Sequence, residues 1–171
     1  MARTFEEEAG AELDGLWAGA LFLLAGDEDR AARLVQATLV RAAAVFVCRS
    51  QNGTPGAWLA DRMVRTFLAE EAVDDEVVPP SESRDDGPPR STPTSDPLHQ
   101  AAGATPPTAR AALWLVLFQR RSYVEAQEVL GVERHELLVL LEAQTELHRV
   151  YRATLTAADP VASARRRREP R

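Results

Sequence analysis

Apolar residues recur at helical spacing in two stretches of the chain, and no stretch alternates apolar and polar positions as a half-buried strand would. Leu13, Leu16, Trp17, Ala20, Leu21 and Leu24 fall at i, i+3, i+4, i+7, i+8 and i+11, one face of a 3.6-residue period. This predicts a first helix from about Glu6 to Ala25, ended by Gly26, with Asp27 capping the next. In the second helix Ala31, Leu34, Val35, Thr38, Leu39, Ala42 and Val45 make one stripe. Glu28 and Asp29 lie in its first turn, where the helix dipole favours acids. A turn at Ser50-Gln51-Asn52-Gly53 leads to Thr54 as cap and Pro55 as opening residue of a third helix, with Trp58, Leu59, Met63 and Phe67 on its apolar face.

The pattern then lapses. Eight of the eleven prolines lie between Pro79 and Pro107, in a stretch rich in Ser, Thr and Asp without periodicity, which predicts a flexible linker over 74–108. Helical periodicity resumes at Thr105-Pro106-Pro107-Thr108 and runs through the dense apolar segment Ala111–Phe118, the expected central helix of a small bundle. Arg120-Arg121-Ser122 breaks it, Ser122 caps a short helix, Gly131 supplies a turn, and a last helix runs from Glu133 to about Thr156. The expected fold is all-α. A helical domain over 1–73 and a helix-turn-helix domain over 109–158 flank the linker, and an Arg-rich tail occupies 159–171.

Composition narrows the function. The 171 residues carry a net charge of −6, and residues 109–158 hold six acids against six arginines, so the helix-turn-helix has no basic footprint for nucleic acid. All basic residues are arginine. The lone Cys48 excludes an internal disulfide and lies in the apolar run Val45–Cys48, as a buried inert thiol would. The acidic first twelve residues do not read as a signal peptide, and no apolar run approaches the ~20 residues of a membrane span, so a cytoplasmic location is expected. His99 is isolated; His135 and His148 are separated by thirteen residues, about 20 Å along a helix, too far to share a metal. No catalytic grouping, metal set or phosphate-cradling glycine loop is present, so neither an enzyme nor a cofactor is expected. Trp17, Trp58 and Trp114 lie on apolar faces and read as core.

Two sets of residues together resemble a known family. Leu24-Ala25-Gly26-Asp27, Leu34-Val35-Gln36, Leu39-Val40-Arg41-Ala42 and Ala57-Trp58-Leu59 resemble the first conserved domain of the extracytoplasmic-function sigma factors of bacterial RNA polymerase. Pro106-Pro107, Arg110-Ala111-Ala112-Leu113, Ser122–Ala126 and Val129-Leu130-Gly131-Val132 resemble their second. The likeness covers roughly 10–70 and 105–150, in the family's order. It implies a polymerase-docking helix carrying Leu34, Val35, Gln36 and Arg41, with RNA polymerase core as partner. It implies promoter-handling positions at Arg62 and Arg65, and a reading helix opened by Arg134, His135 and Glu136, with Arg121 ahead of the motif. An anti-sigma or other protein, or a second copy, completes the partner classes.

Departures from the family pattern weigh against DNA. Ala32, Arg33 and Ala37 stand where the docking helix usually has acids, and the third helix ends in Ala69–Glu76, acidic where the family is basic. Gln127 replaces a small residue between the two helices of the motif. The reading helix offers Glu136 and then Leu137, Leu138, Val139, Leu140 and Leu141, with no Lys, Arg, Asn or Gln up to Ala143 to make a bidentate base contact. Leaving such residues in water forgoes roughly 1.5–3 kcal/mol each. The five apolar residues therefore read either as internal packing, against Trp114 and Phe118, or as a partner interface.

Overall fold

The computed structural model describes residues 4–46, 54–76 and 96–158. Seven α-helices account for most of them, and no strand occurs among the described residues. No helix among them is long and apolar enough to cross a membrane. The turn expected at Ser50–Gly53, Cys48 and the Arg165–Arg168 run lie outside the described residues.

The first three helices follow their local signals. Helix α1, Phe5–Leu23, begins at a reciprocal capping box between Thr4 and Glu7. Helix α2, Glu28–Ala43, begins at Asp27, whose carboxylate accepts from the Arg30 N–H at 2.9 Å. Helix α3, Pro55–Glu76, follows Thr54, whose hydroxyl accepts from the Ala57 N–H. Helix α1 ends two residues earlier than expected. Ala25, at φ 54°, takes the left-handed turn ahead of Gly26, at φ 87°, and the Gly26 N–H closes onto the Leu21 carbonyl at 2.7 Å. An alanine in that region is strained, because its Cβ crowds the backbone.

Leu16, Leu23, Leu34, Leu59, Met63 and Phe67 meet in the core of these three helices. Arg30 of α2 also reaches Glu71 of α3 at 2.6 Å, and Arg41 lies 4.0 Å from Glu70. Part of the acidic end of α3 thus faces arginines of the neighbouring helix. Of the three tryptophans, Trp114 is buried and Trp58 half-buried, while Trp17 is more exposed than its helical register suggested.

The expected linker is corrected at both ends. Helix α3 continues to Glu76, and Pro97–Gly103 forms a further helix, α4, capped by Asp96 and carrying the fully buried Ala101 and Ala102. Small side chains let α4 lie close along the last helix, so a Pro-rich context and an alanine pair concealed a core element. Helix α5, Pro107–Leu113, continues into a wide π turn over Trp114–Phe118, in which the Gln119 N–H reaches the Trp114 carbonyl at 3.0 Å. Arg120, at φ 53°, turns the chain out of this helix. Helices α6, Tyr123–Leu130, and α7, Arg134–Ala158, complete the fold.

The two groups of helices are packed together. The Trp114 indole sits on α1 where Gly19 has no side chain, with Phe22 at 6.1 Å and Phe118 at 5.3 Å between ring centroids. One apolar core runs from Leu16 of α1 to Leu147 of α7.

Candidate partner-binding surface

Helices α6 and α7 form the helix-turn-helix. Ser122 caps α6 in a reciprocal box with Glu125: its hydroxyl accepts from the Glu125 N–H at 3.3 Å, and the Glu125 carboxylate accepts from the Ser122 N–H at 2.9 Å. Gly131 then adopts φ 69°, and its N–H and that of Val132 both close onto the Gln127 carbonyl. Glu136 reaches back to the Glu133 N–H at 2.8 Å and so fixes the start of α7.

Hydrogen bonds from Ser122 hold the Glu125 carboxyl below its ordinary value of 4.5. A lowered folded value means that this stabilisation is present above the ordinary value and is lost as pH falls through the lowered one. Ser122→Ala should lower stability by about 0.5–2 kcal/mol near neutral pH. The deficit relative to the parent should shrink as acid protonates Glu125, which thermal unfolding at a series of pH values measures.

The apolar run of α7 is split and does not form one face. Leu137 is fully buried, Leu140 and Leu141 are half-buried, and Leu138 and Val139 are exposed at 44% and 63%. Of the five residues read from sequence as a partner interface, only Leu138 and Val139 are exposed, because successive residues turn by about 100° and only part of the run can face outward. Arg134, His135 and Glu136 are exposed beside them, and His135 lies 3.4 Å from Glu133. The outward surface of the would-be reading helix is thus mixed in charge at its start, with Arg134, His135 and Glu136, and apolar beyond it, with Leu138 and Val139.

The other cations named from sequence are engaged within the protein. Arg121, with a side chain only 16% exposed, donates to the Asp61 carboxylate at 2.5 Å, to the Ala57 carbonyl at 3.1 Å and to Glu125 at 3.1 Å. Its place as a DNA contact is corrected accordingly: the guanidinium bridges α3 and the lead-in to α6. Burial raises the Asp61 carboxyl above its ordinary value even though Arg121 opposes this. Arg65 donates to the Glu128 carbonyl at 3.3 Å, and Arg62 lies 5.8 Å from the centroid of the Trp58 ring.

On α2, Leu34 and Val35 are buried in the core. Both pack the helix inward, and the surface they leave for a partner is small. Gln36, Val40 and Arg41 are among its exposed positions, with Val40 65% exposed. Among the described residues no group of three metal-ligating side chains forms.

Two features of this arrangement were missed in the sequence. Asp61 lies three residues after Trp58 and four before Arg65, an acid beside an apolar stripe, yet only the fold shows that Arg121 meets it. Arg110 is buried over the Phe67 ring at 5.6 Å, and burial lowers its ordinary basicity.

No family model and no curated protein matches the sequence. The fold is similar to that of the sigma factor RpoE from Bartonella quintana, solved in complex with the anti-sigma factor NepR. The TM-score is 0.65 and the identity 22%, over 86% of this chain and 96% of that chain. The all-α architecture implied by the sequence resemblance is therefore the observed one, and the chain has the fold of a sigma factor.

Proposed function

We propose that this chain is a sigma-factor-like protein of bacterial transcription initiation whose helix-turn-helix binds a protein in place of promoter DNA. Its partners are RNA polymerase core, engaged through the exposed positions Gln36, Val40 and Arg41 of α2, and a protein of the anti-sigma class at the outward face of α7. The observation that carries the reading is the outward surface of α7: after Arg134 and His135 it presents Glu136, Leu138 and Val139, where a DNA reader needs further cationic and amide side chains. Arg121, which could have supplied one phosphate contact, is spent on Asp61. A protein partner covers exposed leucine and valine profitably, whereas a duplex does not.

The test pairs two measurements on the full chain. Purified polymerase core should be retained by the immobilised protein. A labelled upstream-promoter duplex should show no sequence-dependent binding even at low salt. Duplex binding that falls steeply with added salt and is lost in Arg134→Ala would overturn the protein-binding assignment. Failure to retain polymerase core would separately overturn the role in initiation.

A further inference from the structure

Arg110 is 9% exposed, and among the described residues it is the only charged residue that is buried. Its guanidinium presents five N–H donors and keeps its charge at any ordinary pH. It donates to no described residue, and its Nε is cut off from solvent without a partner. Buried cations are normally paired and hydrogen-bonded, because removal from water is costly. The Phe67 ring lies 5.6 Å from Cζ, but a ring face leaves the donors along the edge of the guanidinium unanswered. The two Nη groups are not sealed off as Nε is, so that edge can be reached from solvent.

The nearest charges do not answer these donors either. Glu71 of α3 is committed to Arg30 of α2 at 2.6 Å and makes no hydrogen bond with Arg110. Burial is the largest influence on Arg110 and lowers its basicity; Glu71 raises it, and Arg30 lowers it further. Both neighbours therefore act on Arg110 through space, while its donors stay free. A carboxylate has two oxygens in one plane and suits a single guanidinium fork. A phosphate carries acceptors in tetrahedral directions and can accept from one guanidinium while facing a second.

We propose that Arg110 is an oxyanion site, in which the free guanidinium edge donates to a phosphate group and Arg30 lends its charge from α2. The group is a free phosphate ion or a phosphate monoester. A duplex backbone is too broad to reach an arginine this deeply placed. This inference does not depend on the function assigned to α7.

The test is calorimetric titration of the full chain with inorganic phosphate, at ionic strength held constant with chloride. The parent should bind it saturably at one site. Arg110→Met should weaken binding by about tenfold or more, the loss of charge-assisted hydrogen bonds. Glu71→Gln removes the competing anion and should tighten binding by about threefold or more, which decides the matter if Arg110→Met fails to fold. Arg33→Gln, at an exposed position of α2, should bind as the parent does. Adenosine monophosphate, titrated in parallel, distinguishes an ester from the free ion; binding of either supports the site, and binding of neither overturns it. The proposal is also overturned if folded Arg110→Met keeps the parent's affinity, if Glu71→Gln binds no more tightly, or if Arg33→Gln loses binding as Arg110→Met does, which would reduce the effect to general attraction.

Discussion

Leu137→Ala should destabilise the protein by about 2–5 kcal/mol, while Val139→Ala, two residues on, should change stability by less than about 0.5 kcal/mol. Leu137 is fully buried among the helices, so truncation removes packed methyl groups and leaves a cavity that rigid neighbours cannot refill. Val139 is mostly in water, so alanine there removes little contact. Denaturant unfolding of the two variants measures the contrast. Equal losses would mean that the run packs as one internal face; negligible loss at Leu137 would mean that it is not core. The partner face is then tested on a protein known to be folded. Leu138→Glu with Val139→Glu should preserve the unfolding midpoint and abolish binding of the protein proposed to cover α7.

Gly19→Ala should cost about 1–3 kcal/mol, against the usual trend for a helix interior, where alanine gains about 1 kcal/mol over glycine. A Cβ at this position would stand 2.5 Å from Cζ2 of Trp114 and 2.6 Å from Cε of Met63. The methionine end can swing aside. The indole cannot, because Phe22 and Phe118 hold it from two sides. Gly56→Ala is the control. The atoms nearest its Cβ would be the carboxylate end of Glu12, a flexible chain that can move away, so stability should stay within about 0.5 kcal/mol of the parent. Thermal unfolding of both variants decides the matter; equal stability of the two would show that Trp114 is not seated on α1.

What was legible in the sequence was local. Asp27, Thr54, Ser122 and Gly131 act on backbone groups within a few residues, so their caps and turns follow from residue type and spacing alone. The stripes of α2 and α3 were legible for the same reason, and that of α1 was legible except at Leu13 and Trp17, which are exposed. What was hidden depends on residues far apart in the chain. Asp61 and Arg121 are sixty positions apart, and neither is unusual until the fold joins them. Helix α4 was missed because seven residues between prolines give no period, and its burial comes from α7. Leu34 and Val35 were read as docking side chains because the resemblance identifies a helix, whereas burial decides which of its sides is available. The apolar run of α7 was legible as a tension between packing and binding. Only the direction of each side chain divides it between the two.

The π turn over Trp114–Phe118 sets the phase of everything that follows it. It holds one more residue in the turn than an α-helix would, and the chain leaves it in time for Arg121 to point at α3. Were the same five residues to take α pitch instead, the extra residue would no longer be absorbed within the turn. Each downstream position would then move by about 100° and 1.5 Å along the axis. The guanidinium would swing away from its carboxylate, and the whole helix-turn-helix would present a different azimuth to the first three helices.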